Sequence, residues 1–300
     1  MNLSTVLHKL MSRFRERCYK WEVRGVLETS PLQRGHRQFV ALSMVHHKDV
    51  LPYLVAIKTF AAFTSPHRIC VVCDPTITEE DRTTFRHHIP HIELIKAEDH
   101  RHPDLPVGGT WERLQAICSL SPDNYVVQVD ADTIALMDMP HVVAAIDAGK
   151  AFVIGEEPNQ PIMTLEQATE RGYRWTNQHI QAHVERLLST SKVPMQRYVR
   201  GCSGFTGFPA DPEMLNKALA FSAVMTRLCG DRWREWGTEQ ITSNYLVANA
   251  HGAAVLPYPE YCTPKGTLSG LRFGHFIGFI RFSNNLYRQG TKLALANVLR

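Results

Sequence analysis

Nowhere in this chain of 300 residues does an apolar run reach the roughly 18 residues that a membrane-spanning helix needs, because a charge or proline interrupts each one sooner. A secretory signal is also not expected, since Lys9, Arg13, Arg15 and Arg17 occupy the stretch where its apolar centre would lie. Seven cysteines make an odd number for a disulfide framework, so reduced thiols and a cytoplasmic setting are expected. There are no internal repeats, no low-complexity tracts and no linker that cleanly separates two domains. No spread of basic residues interleaved with stacking aromatics is present, and nucleic acid is therefore not an expected partner.

What is there describes an ordinary globular chain: 44% hydrophobic and 21% charged residues suffice for one large α/β core. The net charge of +4 is mild but unevenly placed. Lys9, Arg13, Arg15, Arg17, Lys20 and Arg24 crowd the N-terminal segment against Glu16 and Glu22, interleaved with Leu3, Leu7, Leu10, Met11, Phe14 and Trp21 at near-helical spacing. Two readings of residues 1–24 are open. One is a terminal helix that docks its apolar side on the domain and leaves its charges solvated. The other is a peripheral contact with an anionic membrane surface, at the cytoplasmic face. Residues 1–35 are read as this segment and 36–300 as the domain proper.

From Phe39 onward, short β-rich runs alternate with helical stretches. Strands are expected at Phe39–Val45, Arg68–Asp74, Ile92–Lys96 and Tyr125–Val129, and helices at Leu51–Phe63, Glu79–His88 and Trp111–Leu120. Such units build a nucleotide-binding sheet whose ligand sits at the carboxyl ends of the strands. The second half is less regular. It offers a strand at Ala151–Ile154, a polar helical region over Glu166–Leu188, and glycines at 201, 204 and 207. Helices are expected at Glu213–Leu228 and Glu239–Asn249, a strand at Ala253–Leu256, and a Pro- and Gly-rich loop from Pro257 to Gly274. Cys70 and Cys73 have a redox or zinc spacing, but they lie in a strand where residues three apart face opposite ways, so core packing is expected.

Asp130 and Asp132 end the buried run VVQVDADT with a small residue between them. Two carboxylates at a strand end repel one another unless a positive group offsets them. A hard divalent cation does so and bridges diphosphate oxygens as well, which makes Mn²⁺ or Mg²⁺ the expected cofactor. Two further motifs lie downstream, EQITSN at 239–244 and HFIGFIR at 275–281. With these in that order, the chain resembles the glycogenin- and lipopolysaccharide-galactosyltransferase-like family of GT-A glycosyltransferases. That family carries D-x-D, then D-Q-x-x-L-N, then H-F-x-G-x-x-K. The resemblance implies an α/β fold of GT-A type, a Rossmann-like nucleotide-diphospho-sugar transferase domain with a mixed, mostly parallel central sheet. It implies a nucleotide-sugar donor, a UDP-sugar by likeness, and transfer to an acceptor hydroxyl on a glycan or lipid-linked glycan.

Residue by residue, the resemblance makes Asp130, Asp132 and His275 the metal ligands, with Asp130 also touching the donor. Gly278 would let backbone amides approach the diphosphate, and Arg281 stands where the family has Lys, a sensible exchange against phosphate. Glu239 and Gln240 would face the transferred sugar as the catalytic pair, Ser203 would line its pocket, and Arg113 would face the donor. Three departures stand out: Glu239 replaces Asp, Ser243 replaces Leu, and Cys202 replaces the Asn of N-[SA]-G. Retention or inversion of the anomeric centre stays open, because Glu239 could also act as general base.

Taken singly, several of these residues have plainer readings. His275 could be a core histidine, and Glu239 could serve only the dipole of its helix. Asp74 is either a contact to the nucleotide or the opener of an Asp-Pro turn. His179 and His183 share a helix face but lack the Glu of H-E-x-x-H, so no catalytic zinc is expected. A sugar nucleotidyltransferase would have a similar sheet, but it would carry a glycine-rich phosphate loop after the first strand. The run VHHKDV at 45–50 has no glycine. The remaining alternative is an inactive binding or scaffold protein on the same fold.

Overall fold

The computed structural model describes residues 3–299. Its first helix, α1 (Leu3–Glu22), is followed by the run of apolar residues that forms β1 (Arg37–Val45), where Phe39 to Leu42 are all buried. Burial on both faces marks a central strand of a parallel sheet. α2 (Val50–Thr64) follows, apolar nearly all round, and is buried between the sheet and the N-terminal segment. β2 (Pro66–Cys73), α3 (Glu79–His88) and β3 (Ile92–Lys96) continue the alternation. The start of α3 is set locally: the Thr78 side chain accepts from the Asp81 backbone N–H while the Asp81 side chain accepts from Thr78 N–H. α4 (Trp111–Leu120) leads into β4 (Val126–Val129), a short β5 (Thr133–Ala135) and α5 (Pro140–Asp147).

The second half begins with β6 (Phe152–Gly155) and β7 (Met163–Thr164). The helix expected over 166–188 is two pieces, α6 (Leu165–Gly172) and α7 (Ile180–Glu185). The break has a packing reason. A Cβ on Gly172 would lie 2.9 Å from the Glu185 Cβ, so the chain folds back with α7 pressed on the end of α6. β8 (Arg197–Tyr198), β9 (Gly201–Phe208), α8 (Met214–Cys229), α9 (Thr238–Asn249) and β10 (Ala254–Val255) follow. The segment expected to be loop contains β11 (Tyr261–Cys262) and the start of β12 (Phe273–His275), before α10 (Leu286–Asn297).

The main sheet has the order β10-β6-β9-β4-β1-β2-β3. All its strands run parallel except β9, which is antiparallel to both β4 and β6. Apolar cores cover the two faces. Val127 and Val129 of β4 join α2 on one side, while Val126 joins Trp111, Phe221 and Tyr245 on the other. Cys70 and Cys73 are both buried in β2 as free thiols, and burial pushes the Cys70 thiol up to about 12. Their burial is in line with the expected packing role.

Among the described side chains, the N-terminal helix does not dock as an apolar stripe. Its side chains are described from residue 10 onward, so Leu3, Leu7 and Lys9 of the basic apolar pattern lie outside the described residues. Tyr19 is buried against α10, yet Leu10, Met11, Phe14 and Trp21 are exposed. Among the described residues no helix is long and apolar enough to cross a membrane.

Candidate donor and metal site

β4 delivers Asp130 to the carboxyl edge of the sheet, where its backbone N–H donates to the Gly204 carbonyl of β9 at 2.9 Å. A tight turn follows, with Thr133 Oγ1 donating to the Asp130 carbonyl at 2.8 Å, and it aims Asp132 back at the same edge. β5 then pairs antiparallel with β12, placing His275 opposite Thr133. His275 Nε2 consequently lies 3.0 Å from Asp132 Oδ1 and 3.8 Å from Asp130 Oδ2. Ligand atoms of the three residues all fall within 4.8 Å of one another, the one group of its kind among the described residues. The imidazole fits because position 204 is glycine. A Cβ there would lie 2.1 Å from the ring.

Two arginines bracket this cluster. Arg281 bonds Asp132 Oδ2 at 2.5 Å and Asp49 Oδ1 at 3.0 Å. Arg113, in the first turn of α4, bonds Asp130, reaches Glu239 Oε2 at 2.9 Å and donates to Ser203 Oγ at 3.2 Å. Thr110 holds the same Glu239 oxygen at 3.0 Å, and Trp111 Nε1 donates to Thr238 Oγ1 at 2.9 Å, locking the start of α4 to the start of α9. Buried charges of this kind persist only when paired. Burial works to raise the Asp132 carboxyl, but His275 and Arg281 overcome it and hold the group well below the usual carboxylate range. Burial likewise works against a charged His275, yet Cys202 and Asp132 lift it above its ordinary value. Glu239 is raised by burial against the pull of Arg113.

The donor set suits the expected cation. Two carboxylates supply hard oxygen ligands, and one imidazole adds a nitrogen that Mn²⁺ accepts more readily than Mg²⁺. Beside this donor set, Glu239 Oε1 is buried and has no hydrogen-bond partner, which leaves it able to accept from a ligand hydroxyl.

The structure thus brings together Asp130, Asp132, His275, Arg281, Arg113, Ser203 and Glu239. Gln240 is not in this network; its Nε2 instead bonds Gln181 Oε1 of α7 at 3.4 Å. Asp74 sits at the end of β2, where it accepts from Thr76 and pairs with His46 at 3.1 Å. That is the same sheet edge, with β1 between it and β4. Gly278 has φ +35 and open space where a Cβ would point, as a loop approached by a ligand requires. His179 caps α7 by accepting from Gln181 N–H and belongs to no metal-binding group among the described residues.

Two residues of the site carry no role in the sequence reading: Cys202, noted there only as a departure from N-[SA]-G, and Asp49. Cys202 Sγ meets His275 Nδ1 at 3.0 Å, fixing the ring from its far side. Asp49 shares Arg281; its position just after β1, on the edge that also carries Asp74 and Asp130, was the available signal.

No family model matches this sequence, and no curated protein matches it. Solved structures do match. The bifunctional glycosyltransferase WbbM aligns with a TM-score of 0.56 at 11% identity, over 89% of this chain and 51% of its own. The glycosyltransferase GlyE of Streptococcus pneumoniae TIGR4 aligns with a TM-score of 0.51 at 11% identity, over 88% of this chain and 62% of its own. The fold is that of the GT-A glycosyltransferases. An active-site mutant of LgtC aligns with a TM-score of 0.50 at 12% identity, over 86% of this chain and 96% of its own. The chain spans about half the length of WbbM and less than two thirds of GlyE. At such identities the likeness speaks for the GT-A architecture, and the chemistry must be argued from the residues.

Proposed function

We propose that this protein is a metal-dependent glycosyltransferase that moves a sugar from a nucleotide-diphosphate donor, a UDP-sugar by family likeness, to an acceptor hydroxyl on a glycan or lipid-linked glycan. The observation that carries the reading is the convergence of Asp130, Asp132 and His275 at the carboxyl edge of a GT-A sheet. These three would hold Mn²⁺ or Mg²⁺. The bound cation would supply charge neutralisation for the leaving diphosphate.

The chain's own residues do the rest. Arg281 offers a planar guanidinium to the diphosphate, held ready by Asp49 and Asp132. Glu239 offers its free Oε1 to a sugar hydroxyl, while Arg113 fixes the other oxygen. Asp74, at the end of β2 and two strands from β4, is the residue assigned to the nucleoside end in this reading.

An acceptor site is supported by a cavity of about 130 Å³ at the ends of β6 and β10, lined by Gly155, Gln160, Tyr258 and Tyr261 among others. Gly155 pairs across the sheet with Gly201, one residue before the Cys202 that meets His275. Gln160 is 4% exposed and its Oε1 has no partner. A buried amide oxygen beside a half-exposed tyrosine ring suits a sugar, whose C–H face stacks while its hydroxyls bond.

The test is a screen of UDP-, GDP- and dTDP-sugars for hydrolysis with and without Mn²⁺. One donor should be hydrolysed only with metal, and Asp132→Asn should lower that rate by on the order of 10²-fold or more. Indifference of the wild-type chain to nucleotide and metal alike would leave a GT-A-fold scaffold as the reading.

A further inference from the structure

The outward face of α1 combines features that a helix held only for stability does not need. Leu10, Phe14, Arg17 and Trp21 follow one another at steps of four, three and four residues, so they stack along one side of the helix. Their apolar members are 56%, 60% and 75% exposed. Arg13 and Lys20 flank that side and are exposed as well.

The opposite side is bound to the domain through polar and aromatic contacts. The Tyr19 hydroxyl bonds the Tyr287 hydroxyl at 2.8 Å, and the two rings stack 4.5 Å apart. Arg15 donates to the Ser283 carbonyl at 2.8 Å, and the Glu22 carboxylate accepts two bonds of 2.6 Å from Arg288. These fixed contacts settle which way α1 is turned. An ordinary surface helix buries its apolar side and shows water its charges. Here the helix is anchored by the reverse side, and three large apolar residues point into solvent among cations.

We infer that this face of α1 seats the protein on an anionic lipid surface. The charges argue for that occupant over a second copy of the chain. Arg13, Arg17 and Lys20 make the face cationic, and the one acid beside them, Glu16, already pairs with Lys20 at 2.7 Å. Two such faces repel, whereas phosphate headgroups attract the cations and admit phenylalanine and tryptophan at their boundary with the acyl chains. The anchoring side also leads to the donor site. Ser283 and Tyr287 lie just after Arg281, whose guanidinium sits 5.7 Å from the Tyr287 ring centre and bonds Asp132. The lipid-facing helix is thus tied to the donor site through Tyr19, Tyr287 and Arg281. The lipid contact itself does not depend on the glycosyl-transfer reading.

The experiment is flotation of the full chain with phosphatidylcholine vesicles, with and without phosphatidylglycerol, in the absence of any nucleotide sugar. The chain should float with the anionic vesicles and not with the neutral ones. Arg13→Gln with Arg17→Gln should weaken binding by about thirtyfold, the effect of two surface cations. Phe14→Ser with Trp21→Ser should weaken it by at least about tenfold. Neither pair should move the thermal unfolding midpoint, because these side chains are exposed. The inference fails if the chain ignores both vesicle types, floats equally with both, or floats unchanged in either double variant. Self-association that disappears in the Phe14 and Trp21 variant, without vesicle binding, also overturns it and assigns the face to a second copy.

Discussion

Gly204→Ala tests the geometry of the cation site at its tightest point. The added Cβ would meet His275 Cε1 at 2.1 Å and the two ring nitrogens at 2.6 and 2.7 Å. Ordinary contact begins at 3.4 Å, so the ring must retreat by about 1.3 Å or β9 must move. β9 is paired on both sides, with β4 and β6, and the imidazole is the softer partner. A ligand displaced by about 1 Å costs on the order of 10²-fold in function. Overpacking alone costs about 1–3 kcal/mol of stability. Gly207→Ala separates the two effects, because on the same strand it meets Phe152 Cε1 at 2.2 Å and not His275. Both variants should unfold more easily than wild type. Only Gly204→Ala should lose Mn²⁺ affinity, by about a hundredfold, as read by the spin resonance of free Mn²⁺ during titration. Wild-type affinity in Gly204→Ala, or equal loss in both variants, would refute the assignment of His275 as a ligand.

Stability should also depend on pH through His88. This residue is 2% exposed, and its Nδ1 lies 3.2 Å from Lys58 Nζ. Burial, reinforced by Lys58, pushes it down to about 4. Its folded value is below the usual 6.5, so its contribution is present above 6.5 and is lost as pH falls through about 4, up to about 3 kcal/mol in all. His88→Gln keeps an acceptor for Lys58 but cannot titrate. Urea unfolding at pH 7 and 4.5 should show a smaller loss in the variant, and equal losses would contradict the reasoning. On the acceptor side, Gln160→Leu with Tyr258→Ala should raise the acceptor KM by about tenfold or more while leaving donor hydrolysis unchanged. An unchanged KM would remove the cavity from the acceptor site.

The alternation of apolar strands with helices was legible because periodicity and capping are local. α3, β3 and α4 occupy the residues the pattern marks, with Thr78 and Asp81 closing the start of α3. The pattern failed where a distant contact intervened, as at Gly172, whose bare backbone admits Glu185 and splits one expected helix in two. It failed again between Pro257 and Gly274, where composition reads as loop but pairing with β5 makes strand.

The sequence by itself determined that a carboxylate pair ends a buried strand, and that cations and large apolar residues share the first helix. Both follow from order along the chain. Tertiary structure alone decided what these groups face. Asp132 meets His275 across 143 residues, and Arg113 meets Glu239 across 126. Cys202 and Asp49 join the site through neighbouring strands, and α1 is turned by Tyr19 so that Phe14 and Trp21 look outward. Strand register, sheet order and the rotation of a docked helix are set by packing between remote segments, which no local periodicity encodes.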